Sequence, residues 1–209
     1  MIIKICGIQN EETLLCCEKN NVNFFGMIFY ERSPRNISID QAKHLQEISK
    51  NLNINGVGVF VDYNLNELKN IVLNLNLKYV QLHGEENNDY INSLKENNIK
   101  IIKKISINEE EDLNKIKKFH SADIILFDYK PLNNELPGGN AKKFDWSIVK
   151  NLKLNRPWFL SGGINLHDIS VLVREIKPFG IDLSSGVEKE LGIKDNEIID
   201  NFMDKLNNA

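Results

Sequence analysis

The chain has 209 residues, a length that suits one domain with a substantial core, either a large sandwich or a compact α/β barrel. Its 26 basic and 29 acidic side chains are interspersed and sum to a net charge of −3, so no basic stripe of the kind that follows a nucleic-acid backbone is present, and nucleic acid is excluded as an expected partner. No stretch approaches the ~18 apolar residues of a membrane span, no charged-then-apolar leader opens the chain, and Cys6, Cys16 and Cys17 make no disulfide scaffold, so a soluble cytoplasmic domain over residues 1–209 is expected, away from any membrane.

In chain order, apolar β-rich runs lie at 2–6, 23–29, 55–61, 78–82, 99–105, 123–128, 156–160 and 179–183. Stretches with helical spacing of apolar residues separate them at 10–20, 38–50, 64–74, 86–96, 108–119, 144–152 and 165–176, and a last one follows at 195–206. Strand starts recur roughly every 25 residues, which fits βα units with right-handed crossovers rather than hairpins. Runs such as Val57-Gly58-Val59-Phe60-Val61 and Ile124-Ile125-Leu126-Phe127 are apolar on both faces, as parallel strands under helices must be. Eight such units in so short a chain, with no dinucleotide fingerprint after the first strand, predict an α/β fold closed into a (β/α)8 TIM barrel rather than an open doubly wound sheet. Ser38 with Gln41 has the spacing of a capping box, and Asn165 and Asp195 stand at expected N-caps.

Chemistry in such a barrel is expected at the C-terminal ends of its strands. Alternation along the first strand sends Lys4 and Cys6 to one face and Ile3 and Ile5 to the other, so a cation and a thiol project together towards the mouth. In Tyr30-Glu31-Arg32-Ser33-Pro34-Arg35, the proline stiffens the approach to Arg35, whose guanidinium either clasps a substrate carboxylate in a bidentate pair or is a solvated loop charge. His83 closes the fourth strand and faces the site either as a ligand contact or as a hydrogen-bonded structural residue. Asp128 ends the sixth strand, placed for proton transfer or for capping the long loop 129–143.

That loop carries Pro137-Gly138-Gly139, whose amides suit an anion. Ser161-Gly162-Gly163 and Ser184-Ser185-Gly186 follow the seventh and eighth strands, and small residues in these two neighbouring loops are what a phosphate pocket requires. Asp182 shares the parity of Ser184 and is expected chiefly to neutralise Lys4, with a substrate contact as the alternative. Cys16 and Cys17 are expected to pack or lie at the surface. His44, His120 and His167 have no ligand spacing, so no metal site is expected.

KICGI at 4–8, SPR at 33–35, GVFV at 58–61, VQLHG at 80–84, Asp128, PGG with KKFDW at 137–146, LSGGI at 160–164 and DLSSGVE at 182–188 together resemble the phosphoribosylanthranilate isomerase family of tryptophan biosynthesis. The resemblance runs from the first strand to the last, in the family's order. It implies a TIM-barrel isomerase that needs no cofactor and rearranges N-(5-phosphoribosyl)anthranilate to 1-(2-carboxyphenylamino)-1-deoxyribulose 5-phosphate. It further implies Cys6 as general base, Asp128 as general acid and Arg35 as the carboxylate contact, with phosphate at the turns around Gly139, Gly163 and Ser185. The partner is then a small phosphosugar, and the chain a monomer or a homodimer. Lys4 and nearby helix N-termini are expected to raise the thiolate fraction of Cys6.

The sequence departs from the family's PGGTG at Asn140 and Ala141, and Ala141 fits only if its position needs no positive φ. This departure motivates a competing reading, a catalytically silent phosphosugar-binding barrel. A third, an aldolase or synthase on the same scaffold, would need a Schiff-base lysine or a Lys/Glu pair, for which Lys103 and Lys104 offer no evident partner.

Overall fold

The computed structural model describes residues 1–132, 135 and 138–209, so Leu136 and Pro137 of the glycine-rich motif lie outside the described residues. Eight parallel strands, β1 (Ile2–Cys6), β2 (Phe24–Phe29), β3 (Asn55–Phe60), β4 (Tyr79–Leu82), β5 (Lys100–Ile107), β6 (Ile124–Tyr129), β7 (Trp158–Leu160) and β8 (Gly180–Leu183), close into a barrel. Every strand pairs with its sequence neighbour, and β1 also pairs with β8 through Lys4 opposite Asp182.

Strand alternation sorts the side chains into two compartments. One set, including Phe24, Val57, Ile102, Ile124, Leu126 and Phe159, fills the bottom of the barrel interior. The other set, including Ile5, Phe25, Phe60, Ile101 and Phe127, meets the surrounding helices in a continuous outer core. The apolar floor keeps water out from below and leaves only the upper end of the barrel for polar groups.

The first four connections are α-helices, Glu11–Lys19, Ile39–Ser49, Leu65–Asn74 and Asn88–Lys95, and each N-cap side chain, Asn10, Ser38, Asn64 or Asn87, accepts from a backbone N–H of the first turn. Ser38 and Gln41 form the expected capping box, and Asn165 and Asp195 cap as expected.

The later connections differ from the α-helices predicted for them. Glu110–Phe119 is a 3-10 helix, and its apolar residues Leu113, Ile116 and Phe119 recur every three positions, the period at which that helix stacks side chains. Only Trp146–Val149 of 144–152 is helical, again as 3-10. The stretch 165–176 passes through a 3-10 turn and one α-helical turn into a π-helical turn, Leu172–Ile176, and stops at Lys177 with φ +50° before Pro178. An unpredicted antiparallel pair, Glu188–Glu190 with Ile193–Lys194, precedes the last helix, Asn196–Asn207. Among the described residues no helix is long and apolar enough to cross a membrane.

Candidate active site

The alternation of β1 turns both Lys4 and Cys6 inward. Lys4 is completely buried, and its ammonium donates to both carboxylate oxygens of Asp182 at 2.9 and 2.8 Å. Gln81 Nε2 reaches the same carboxylate at 3.4 Å and touches the His83 ring. Asp182 thus neutralises Lys4, and the pair sits between the apolar floor and the mouth. A buried lysine without this partner would carry a large desolvation cost.

One pleat nearer the mouth stand Cys6 and Asp128, respectively 6% and 4% exposed. Gly26 on β2 makes room for the thiol, because a Cβ at 26 would lie 2.8 Å from Cys6 Sγ and 3.1 Å from Lys4 Nζ. Burial pushes the Cys6 thiol above its ordinary range, while Lys4 and Lys194 pull the other way without prevailing. Lys4 thus acts in the expected direction, favouring the thiolate, but burial outweighs it, since the same enclosure that brings the lysine close also strips the sulfur of water. Asp128 is likewise pushed up by burial, to about 6, against the pull of Lys104 and of the Tyr129 N–H, which donates to Oδ1 at 2.8 Å.

Arg35 is not solvated; it is 1% exposed. Its stem crosses Gly7, where φ is +84° and a Cβ would meet Arg35 Cδ at 2.8 Å. Its head donates from Nε and Nη2 to Glu188 at 2.7 and 2.8 Å. The fork expected to clasp a ligand is therefore already engaged, which leaves Nη1, beside Gly139, as the other guanidinium nitrogen. Lys194 donates to the same Glu188 at 2.5 Å, and the two cations hold that carboxyl down at about 2 despite its burial. Sequence reading gave Glu188 no role and missed Lys194; an acid inside a small-residue loop, needing a cation once buried, was the available signal. Lys103, unassigned a partner from sequence, points outward and pairs with Glu86 at 2.7 Å.

These groups border two adjoining cavities. The first has an apolar wall of Ile28, Val59 and Val61 and polar members Cys6, Arg35, His83 and Asp128. The second is lined by Gly138, Gly139, Ser161, Gly162, Gly163, Ser184 and Ser185, with Tyr129, Asn140, Lys142 and Ile164 also at its wall. Asp128, Gly138, Gly139, Ser161, Asp182 and Ser184 border both. All the site residues expected from sequence thus gather here except Gly186, which packs behind the loop, where a Cβ would fall 1.8 Å from the Ile164 carbonyl oxygen.

The sequence departure at 141 has a structural consequence. Ala141 has φ +56°, so its position does need the left-handed conformation that glycine adopts freely, and the condition for an easy fit is not met. Among the described residues no group of His, Cys, Asp and Glu is disposed to hold a metal ion.

Residues 3–205 match the profile of the N-(5'-phosphoribosyl)anthranilate (PRA) isomerase family. The N-(5'-phosphoribosyl)anthranilate isomerase of Agrobacterium fabrum is 38% identical over 208 residues, covering 98% of this chain and 94% of the relative. Among solved structures, the phosphoribosyl anthranilate isomerase of Thermotoga maritima superposes with a TM-score of 0.89 at 30% identity over the whole of both chains. A phosphoribosyl anthranilate isomerase in complex with reduced 1-(o-carboxyphenylamino)-1-deoxyribulose 5-phosphate gives a TM-score of 0.85 at 29% identity, again over both full chains.

Proposed function

This chain belongs to the N-(5'-phosphoribosyl)anthranilate isomerase family, and from that premise we propose that Cys6 is the general base and Asp128 the general acid of its reaction. The chain is an isomerase of tryptophan biosynthesis, and its substrate is N-(5'-phosphoribosyl)anthranilate. The observation that carries the residue roles is that Cys6 and Asp128 border one cavity from which a small-residue pocket opens.

In this reading the substrate spans both cavities. Its phosphate is held by the amides and hydroxyls around Gly139, Gly163 and Ser185, which approach closely because these positions carry no side chain or a short one. Its aromatic ring lies along Ile28, Val59 and Val61, with the carboxylate at Arg35 Nη1. The ribose then falls between Asp128 and Cys6.

Asp128 delivers its proton to the furanose oxygen as the C1–O bond breaks, and the anilino nitrogen lone pair forms the C1 iminium. The iminium acidifies C2–H. Cys6 thiolate takes that proton, the C–H electron pair becomes the C1–C2 double bond, and the iminium pair returns to nitrogen. The resulting enol-amine tautomerises to the aminoketone, so no electrons are gained or lost. A carboxyl titrating near 6 keeps enough acid form near neutrality to serve, as an ordinary aspartate would not.

At neutral pH the prevailing form of the free protein has Asp128 ionised and Cys6 protonated. The productive form is its isomer, with the proton on the carboxyl. Both carry the same total number of protons, so kcat/KM should be flat between a limb near pH 6 and a second limb above the ordinary thiol range.

The test is rescue of a tryptophan auxotroph lacking this isomerase, followed by turnover of purified protein. Wild type is expected to rescue, and Cys6→Ala and Asp128→Asn to fail while folding normally. Undiminished turnover by either folded variant would refute its assigned role, and failure of the wild type to rescue despite good expression would favour the silent phosphosugar-binding barrel. We assign the reaction to the cytoplasm, where the rest of such a biosynthetic route runs.

A further inference from the structure

We propose that Glu188 and Lys194 are positioning residues for carboxylate recognition: together they fix Arg35 with one nitrogen turned to the cavity and leave one surplus positive charge beneath the substrate's aromatic end. This rests on the reading that Arg35 takes the substrate carboxylate.

The argument begins with how Arg35 is immobilised. A long guanidinium side chain normally loses substantial rotamer freedom when it orders around a ligand. Here that cost is met in folding. The stem is laid over Gly7, and the head is pinned through Nε and Nη2 by both oxygens of Glu188. Glu188 is pinned in turn: Lys194 Nζ donates to Oε1 at 2.5 Å and the Gly192 N–H to Oε2 at 3.1 Å. Both donors belong to the short hairpin outside the barrel, Gly192 in its turn and Lys194 in its second strand opposite Glu188. The side chains of Arg35, Glu188 and Lys194 are each more than nine-tenths buried.

The charge count supplies the second half. Two cations share one carboxylate, so with Lys194 protonated, which Glu188 favours and burial opposes, the cluster as a whole is singly positive and favours one added negative charge. An arginine and glutamate alone would be neutral and would attract an anion weakly. Arginine with lysine and no glutamate would repel each other, and the head of Arg35 would lose its anchor. Specificity for a mono-anionic aromatic end therefore needs all three side chains, although only Arg35 reaches the cavity.

The two outer residues should leave different kinetic signatures. Lys194→Met keeps the Arg35–Glu188 fork but removes the surplus charge, so KM for the anthranilate substrate should rise about tenfold with kcat changed much less. Glu188→Gln unpins Arg35 and misplaces the ring relative to Cys6, so kcat should fall together with the rise in KM.

The deciding quantity is the ratio of kcat/KM for N-(5'-phosphoribosyl)anthranilate to that for the same phosphosugar bearing aniline, which lacks only the carboxylate. Wild type should prefer the anthranilate compound by about 100-fold, and each variant should shrink that preference about tenfold. A merely structural role would lower both substrates alike and leave the ratio where it was. An unchanged ratio in folded variants would overturn the inference while leaving the Arg35 reading intact. A wild type without preference would overturn the Arg35 reading itself, and this inference with it. Should Glu188→Gln not fold, Lys194→Met decides alone.

Discussion

The two halves of the chain furnish opposite ends of one site by different means. Residues up to His83 contribute side chains: a thiol, a guanidinium, an imidazole and an aliphatic wall. Residues from Asp128 to Ser185 line the second cavity alone, and what they present, apart from Asp128 and Asp182, is mostly glycine and serine. The segments between the strands differ in parallel, capped α-helices after each of the first four strands and 3-10 or mixed helical turns after the fifth, sixth and seventh. A ring with a carboxylate is recognised by shape and by a fixed charge, which side chains supply. A phosphate is recognised by converging amides, which demand that side chains be absent. The halves should accordingly fail in different ways when mutated.

The sharpest trial of that contrast removes the one reactive group each half contributes. Cys6→Ala from the first half and Asp128→Asn from the second should each lower kcat by about 10²–10⁴-fold, measured by steady-state turnover. If only one does so, the chemistry belongs to one half.

Asp128→Asn should also stabilise the protein. Burial raises the carboxyl to about 6, above its unfolded value, so ionisation opposes folding: the aspartate is harmless below about pH 4 and increasingly costly as pH rises through 6. Denaturant unfolding should show the variant more stable by about 3 kcal/mol at pH 8, with the gain vanishing at pH 4. A gain independent of pH would remove desolvation as its cause.

Adding a single Cβ tests the amide-lined end. Gly163 has φ +62°, and a Cβ there would come within 2.9 Å of the Ala141 carbonyl oxygen. Gly163→Ala should weaken competition by inorganic phosphate about tenfold, while the preference for anthranilate over aniline stays at its wild-type value. Loss of that preference would mean that the two ends are not separable. The smallest effect is expected from Ala141→Gly, which relieves the left-handed backbone of the loop after β6. It should add at most about 1 kcal/mol of stability and lower KM modestly, read by thermal melting and turnover.

The barrel itself was legible because β-branched runs and their spacing are local properties; the strands fall within about two residues of their predicted bounds. The inward face of β1 and the Lys4–Asp182 pair also followed from alternation alone. Helical type did not, because the apolar spacing of 108–119 was read as generic helix when its strict period of three was the informative detail. The hairpin at Glu188–Lys194 was hidden by its charged sequence, although Gly192, at φ +87°, marks the turn. Arg35 was placed but not understood, since its partner lies 153 residues away and no local pattern encodes such a contact. The Cys6 thiol ran against expectation because burial is a property of the closed barrel, whereas a neighbouring lysine can be read off the strand.

Closure through β1 and β8 also sets an order of events during synthesis. The strand bearing the sulfur is made before the other seven strands, yet its edge is completed only when Gly180–Leu183 arrives, 178 positions after Lys4 at the Lys4–Asp182 contact. Until then the Lys4 ammonium lacks Asp182, its partner in the closed barrel, and burying it unpaired would be costly, which disfavours early sealing of the centre. The polar centre of the barrel is complete only in one late step, when the eighth strand closes on the first.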